Sequence, residues 1–201
     1  MISFSISAFY HLSISSSKPC RWPYLLLFHI FRADAVILHG DIAPRGTYWD
    51  DLMSMNNARL HFVYRPQQKS MYGTNVKKLA AMSDVLRTDI LLKYGGIYTD
   101  WDAVWVKPLD HEIRSYDAVV APDWPTKLKP FPQTLNLGVM LAKPGSEYVK
   151  KLQQSMADYA DGVGPLEWCF ICLRAYKVLE RYPETARLEN HLQVMDYVVS
   201  F

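Results

Sequence analysis

The 201 residues are half apolar and 13 % aromatic, enough to bury one sizeable core, and a chain of this length reads as a single domain. Its net charge of +2 comes from 22 basic and 20 acidic residues without long runs, which offers no polyanion-binding surface, so nucleic acid is not expected as a partner. Three cysteines, Cys20, Cys169 and Cys172, are too few for a disulfide framework, and the last two fall in an apolar helical stretch that reads as packing.

Met1 to Phe31 is atypical and is set ahead of a domain spanning residues 32–201. Its apolar run from Trp22 to Phe31 is shorter than the roughly 20 residues a bilayer crossing takes. No basic stretch precedes a tidy apolar core, so the run reads as a buried strand or helix rather than a signal or anchor.

Asp34 to His39 predicts a short buried strand ended by Gly40 and Asp41, Tyr48 to Met55 a helix, and Arg59 to Tyr64 a second strand stopped by Pro66. Strand, helix and strand in this order point to an α/β sheet. From Val76 to Tyr94 apolar residues recur at three- and four-residue steps, the pattern of an amphipathic helix. Gly95 and Gly96 then supply the left-handed backbone that ends a helix and turns the chain into a β-rich segment, Ile97 to Val106.

Asp117 to Ala121 and Leu135 to Ala142 are further strands, joined by a loop carrying Pro122, Pro125, Pro130 and Pro132. Ser146 to Ala160 predicts a helix with Val149, Leu152, Met156 and Tyr159 on one face. Pro165 opens another that runs to Arg181, and Leu192 to Phe201 reads as a last strand.

The chemistry concentrates between Ser83 and Asp102. Side chains alternate across a strand, so Asp100 and Asp102 project from the same face of the Ile97 to Val106 segment and share one site. Two neighbouring carboxylates repel unless a cation sits with them, and hard oxygen ligands of this kind suit Mg²⁺ or Mn²⁺ holding a substrate diphosphate. On the preceding helix Asp84 and Arg87 lie three residues apart, hence on one face. Arg can fork onto phosphate oxygens or a carboxylate, and Asp can accept hydrogen bonds from hydroxyls. The plain alternatives are a solvated acidic strand end and a surface ion pair. It is the joint spacing that favours an enzyme.

Ser83-Asp84-x-x-Arg87, then Gly95-Gly96-Ile97-Tyr98-x-Asp100-x-Asp102, then Lys107-Pro108-Leu109, resembles the sugar-binding region of DXD-motif glycosyltransferases. The family 32 transferases belong to this group, which is similar to the α-1,4-galactosyltransferases and the glucosylating toxins. The resemblance is strong from Gly73 to Leu109. It is weaker from Asp34 through Tyr48-Trp49-Asp50, and on to Leu135-Asn136-Leu137-Gly138.

The resemblance implies an α/β domain of GT-A type, a Rossmann-like mixed sheet flanked by helices that binds a nucleotide sugar. It leaves the domain open to being incomplete at both ends, because Met1 to Phe31 does not reproduce the family's usual first strand. By resemblance Asp102 ligates a Mn²⁺ or Mg²⁺ bridging the diphosphate, and Asp100 contacts the ribose and metal shell, so these two form the catalytic and metal-binding pair. Asp84 and Arg87 hold the donor sugar and its phosphate, Tyr98 lies near the nucleotide, and Asn136 is a further donor-binding residue. His191 and Asp196 are candidates for an additional metal or phosphate contact.

The implied reaction moves a hexose or N-acetylhexosamine from the nucleotide sugar to a glycan or glycolipid acceptor, with retention of anomeric configuration. Arg87→Ala is then expected to cost donor binding or rate while leaving the fold intact. By resemblance the location is the Golgi or secretory pathway, and membrane association stays open although no transmembrane helix is visible. Two alternatives stand. One is a non-catalytic sugar-nucleotide-binding remnant of the same fold. The other is a haloacid-dehalogenase-like phosphatase starting at Asp100, whose later lysine and acidic pair would fall on Lys150 and on Asp158 or Asp161.

Overall fold

A computed structural model describes residues 5–9, 33–56, 59–66, 70–71, 74–75, 79–100, 103, 105, 107–123, 134–157 and 167–192. In chain order the elements are β1 (Ser5–Phe9), β2 (Ala35–Gly40), α1 (Thr47–Asn56), β3 (Leu60–Tyr64), β4 (Ser70–Met71), β5 (Thr74–Asn75), α2 (Leu79–Tyr94), β6 (Gly96–Asp100), β7 (Ala118–Pro122), β8 (Leu135–Ala142), α3 (Glu147–Ala157), α4 (Glu167–Arg181) and β9 (Arg187–Leu188).

Seven strands form one mixed sheet in the order β3-β2-β1-β6-β8-β7-β9, while β4 and β5 pair separately. β3, β2, β1 and β6 run parallel, β8 lies antiparallel between β6 and β7, and β9 is parallel to β7. Parallel neighbours need a crossover, and α1 supplies it between β2 and β3.

Strand alternation explains the two-sided core. Ile97, Val119 and Leu141 join Val36, Leu38, Leu52 and Leu60 on one face. Their chain neighbours Tyr98, Val120 and Met140 turn to the other, against Leu91 of α2, Tyr148, Leu152 and Met156 of α3, and Ile171 and Ala175 of α4. A strand covered on both faces reads as a continuous apolar run, which is why Leu135–Ala142 was legible as it stands. Each large side chain so buried contributes about 1.5–3 kcal/mol relative to exposure.

Gly95 ends α2 as expected, its N–H donating to the Leu91 carbonyl at 2.9 Å with φ at +65°. A Cβ there would lie 2.5 Å from Pro144 Cδ. The same turn delivers the Gly145 N–H to the Leu92 carbonyl at 2.7 Å, so the end of α2 is capped by the turn after β8. At the start of α3, Asp117 reaches across from β7 and accepts from Ser146 Oγ at 2.7 Å and from the Glu147 N–H at 2.9 Å, satisfying donors the first turn leaves open.

Two expectations change. Residues 5–9, read from sequence as part of a segment ahead of the domain, form β1 at the centre of the sheet, paired with both β2 and β6. Of the strand expected over Ile97 to Val106, β6 reaches Asp100, where the Ala103 N–H donates to the Asp100 carbonyl at 3.1 Å; Trp101, Asp102, Val104 and Val106 lie outside the described residues. β9 was not foreseen, being only two residues long. The run from Trp22 to Phe31, most of the proline-rich loop, the strand expected over Leu192 to Phe201, Asp158 and Asp161 lie outside the described residues, as do Cys20 and the side chain of Cys169. Cys172 is half-buried on α4.

Candidate active site

The reversal at Gly95 folds α2 back along β6, so that the first turns of the helix approach the carboxyl end of the strand. Residues three apart on α2 share a face, and Arg87 meets Asp84 there, Nη2 to Oδ1 at 3.2 Å. The same Nη2 lies 3.6 Å from Asp100 Oδ1. Tyr98, two residues before Asp100 and on its side of the sheet, donates its hydroxyl to that oxygen at 2.9 Å. The guanidinium carbon of Arg87 sits 4.5 Å from the Tyr98 ring centroid. Four of the residues expected at the site, Asp84, Arg87, Tyr98 and Asp100, thus form one connected cluster.

Arg87 holds the cluster together. It donates to Ser83 Oγ at 2.9 Å and to the Ser83 carbonyl at 3.3 Å, and through Nη1 to the Leu137 carbonyl of β8. Its side chain is 5 % exposed, against 34 % for Asp100 and 12 % for Asp84. Its guanidinium therefore faces the protein, and the most exposed side chain of the three is the Asp100 carboxylate.

Burial pushes Asp84 up to about 6, with Arg87 opposing the rise and Asp100 adding to it. For Arg87 burial works against the charge, but Tyr98, Asp100 and Asp84 around it raise its pKa above the usual arginine value. The Tyr98 phenol is pushed well above its ordinary range, chiefly by burial, and stays a hydrogen-bond donor to Asp100. The result is a buried cation flanked by two carboxylates, one of which is held above the usual carboxylate range by burial.

Asn136 lies on the same edge, beside the Leu137 carbonyl that Arg87 binds. The register between β7 and β8 breaks between Val120 and Ala121, so that Ala121 faces Asn136, the kind of irregularity that re-aims side chains near sites. The Asn136 Oδ1 accepts from the Gly138 N–H at 2.7 Å, and its Nδ2 donates to Asp123 Oδ1 at 3.4 Å. Thr134 donates to Asp123 Oδ2 at 3.1 Å. Sequence reasoning passed over Asp123 and Thr134; the available signal was an acidic residue two positions after the Asp117 to Ala121 strand, at the start of the proline-rich loop.

Asp102 and Asp196 lie outside the described residues. Among the described residues no three His, Cys, Asp or Glu side chains gather into a metal set. Asp100 by itself fits one position of a Mg²⁺ or Mn²⁺ shell, being a partly exposed carboxylate at a strand's carboxyl end, and a second oxygen ligand has to come from elsewhere. His191 is exposed and its N–H donates to Glu189 Oε1 at 3.1 Å. Lys150, the lysine of the phosphatase alternative, pairs with Glu147 on α3.

Residues 32–120 match the family model of the glycosyltransferase sugar-binding region containing the DXD motif. The match covers a little under half of the chain and includes Asp84, Arg87, Tyr98, Asp100 and Asp102. The chain is 27 % identical over 134 residues to glucan organizing enzyme 1 of Cryptococcus neoformans var. grubii, a match covering 64 % of this chain and 35 % of that protein. The chain thus spans about a third of that relative's length.

Among solved structures, a PaToxG glycosyltransferase aligns with a TM-score of 0.59 at 13 % identity, over 90 % of this chain and 70 % of that one. A Bacillus anthracis protein assigned as a glucose-1-phosphate thymidylyltransferase aligns with a TM-score of 0.52 at 12 % identity, over 93 % of this chain and 86 % of that one. At these identities the likeness concerns the fold. The chain has the GT-A arrangement of a mixed sheet flanked by helices.

Proposed function

We propose that this chain is a metal-dependent hexosyltransferase that takes a nucleotide sugar and passes its hexose or N-acetylhexosamine to a glycan or glycolipid acceptor, with retention at the anomeric carbon. The observation that carries the reading is the buried Arg87 joining Asp84 to Asp100 at the carboxyl end of β6, inside the region that matches the family. In open α/β sheets ligands sit outside the carboxyl ends of the strands, where the strand order reverses. Here the order reverses between β1 and β6.

In this reading Asp100 and Asp102 would hold a Mn²⁺ or Mg²⁺, which when bound supplies positive charge against the donor diphosphate. Tyr98 and Arg87 fix the orientation of the Asp100 carboxylate, one by its hydroxyl and the other by its charge. Asp84 accepts hydrogen bonds from donor hydroxyls, and Asn136 contacts the donor from the β8 side. Departure of the sugar leaves negative charge on the diphosphate, and Arg87 serves there by holding the Asp100 carboxylate in place from the buried side. By the same resemblance we propose a Golgi or secretory location. No helix among the described residues is long and apolar enough to cross a membrane.

Hydrolysis of several nucleotide sugars in the presence of Mn²⁺, measured on the wild type and on Asp102→Asn, tests the reading. Turnover of at least one donor that is lost with chelator and with Asp102→Asn is expected. Hydrolysis of a sugar phosphate monoester with no action on any nucleotide sugar overturns it.

A further inference from the structure

We propose that a cavity beside α2 binds an anionic amphiphile, its phosphate or carboxylate head between Arg65 and Lys93 and its apolar body on Leu86, Ile90 and Pro66. The cavity holds about 520 Å³, a size within the range of small-ligand sites. Leu86, Ile90 and Lys93 follow one another at four- and three-residue steps and so share a face of α2, while Asp84, Arg87 and Leu91 share another. The cavity is therefore separate from the Asp84–Arg87–Asp100 cluster, and it stands independently of the glycosyltransferase reading. Leu86 is 7 % and Ile90 2 % exposed, yet neither belongs to the apolar clusters of the described core. They make an apolar floor under a charged rim.

At that rim Lys93 Nζ lies 4.9 Å from the Tyr94 ring centroid. The Tyr94 phenol is held below its ordinary range by the hydrogen bond and charge of Lys93, and to a lesser extent by those of Arg65. Its oxygen is thus the acceptor on which both side chains converge. Like charges brought together repel unless an anion joins them, and among the described residues neither Arg65 nor Lys93 has a carboxylate within ion-pair distance. Asp89, the acid on the cavity wall, instead accepts from Gln153 Nε2 at 2.6 Å.

A helix C-terminus attracts cations by itself, and Lys93 in the last turn of α2 answers to that. Arg65 does not, because it follows β3, and the Leu91 and Leu92 carbonyls of α2 already accept from the Gly95 and Gly145 N–H groups. Arg65 Nε is directed at His39 Nδ1, 3.5 Å away. His39 is 3 % exposed, and burial, with Arg65 beside it, lowers it to about 4. A neutral imidazole therefore backs the guanidinium where a carboxylate would have cancelled its charge. Such a guanidinium forks onto two oxygens of a phosphate or carboxylate, Lys93 adds a point charge, and the aliphatic floor takes the attached carbons.

The test titrates octyl phosphate, below its micellar concentration, into the full chain by calorimetry. Inorganic phosphate and octyltrimethylammonium are the comparison ligands, Arg65→Gln and Lys93→Gln the variants, and thermal melting the check of folding. Octyl phosphate should bind the wild type at least about tenfold more tightly than either comparison ligand. Each variant should lose about tenfold, in keeping with removal of a charge-assisted hydrogen bond, while Mn²⁺-dependent binding of UDP or GDP stays unchanged. Lys93→Gln, at an exposed position, carries the comparison should Arg65→Gln fail to fold. Sedimentation with phosphatidylcholine vesicles, with and without phosphatidate, separates the sources of the head group: retention by the phosphatidate vesicles alone assigns it to a bilayer lipid, and retention by neither assigns it to a soluble amphiphile. Octyl phosphate that fails to bind the folded wild type, binds no better than inorganic phosphate, or binds both variants as well as wild type overturns the proposal. An equal loss of nucleotide binding in Arg65→Gln also overturns it, by placing Arg65 in the nucleotide site. A wild type that binds octyl phosphate but no nucleotide overturns the glycosyltransferase reading and leaves the amphiphile site standing.

Discussion

Arg87 and Leu137 are fifty residues apart in the chain and are joined by a hydrogen bond from the Arg87 guanidinium to the Leu137 carbonyl. That bond ties α2 to β8, while the same guanidinium holds Asp84 on its own helix and Asp100 on β6. The residue that read from sequence as a hand reaching for phosphate is a buried junction between three elements.

Arg87→Ala is therefore expected to destabilise the fold, unlike the expectation from sequence. Removing one partner of a buried ion pair leaves the other uncompensated, at about 3–5 kcal/mol. Urea denaturation of the two proteins checks this. A loss under about 1 kcal/mol, the scale of an exposed pair, would show that the guanidinium is not structurally engaged. Arg87→Lys should recover only part, since an ammonium cannot reproduce the fork onto Ser83, Asp84 and Leu137.

Tyr98→Phe keeps the buried ring beside Arg87 and removes only the hydroxyl that binds Asp100 at 2.9 Å. A stability loss of about 1–3 kcal/mol is expected for a hydrogen bond to a charged group. Mn²⁺-dependent nucleotide binding should weaken with it, because Asp100 loses one of the two groups that orient it. Intact binding in a folded Tyr98→Phe protein would remove Tyr98 from the support of the site.

Asp84 and His39 make opposite contributions to stability as pH changes. Asp84 rises to about 6 on folding from an unfolded value of about 3.9. The folded state then binds more protons than the unfolded one between those values, and this contribution falls as pH rises through the window. His39 drops to about 4, through burial and then Arg65, from about 6.5 when unfolded. The unfolded state binds more protons there, and this contribution rises with pH. The two slopes oppose each other between about pH 4 and 6. Denaturation midpoints across that range should rise more steeply with pH in Asp84→Asn than in wild type, and less steeply in His39→Gln. Parallel profiles for all three would contradict the burial of both groups.

Gly95 and Gly145 both have positive φ, +65° and +74°, yet alanine should affect them differently. At Gly95 a Cβ would meet Pro144 N at 2.7 Å as well as its ring, whereas at Gly145 nothing lies within 4 Å. Gly145→Ala should cost about 1 kcal/mol, the usual penalty for a left-handed position. Gly95→Ala adds a backbone clash and should cost at least about 2 kcal/mol. Thermal melting of the pair compares them directly; equal losses would mean that the turn at Pro144 can shift away.

The elements were legible because their periodicities are local. Leu135–Ala142 is apolar throughout, α2 repeats at helical steps up to its glycine stop, and Asp84 with Arg87 falls on one face whatever the helix packs against. The motif was legible for the same reason, since Ser83 to Asp100 is one helix, one turn and one short strand. The chain alone therefore determined an α/β protein with a charged site at the junction of α2 and β6.

Tertiary structure decided what depends on distant partners. Parallel pairing leaves no local signature, so the placement of Ser5–Phe9 between β2 and β6 could not be read from its own residues. The burial of Arg87 required β8 to arrive on its far side, and Asp123 became part of the site margin only when a register break brought Asn136 against it. Spacing along the chain sets which side chains share a face; the packing of other elements onto that face decides which of them keep contact with solvent, and therefore which can meet a ligand.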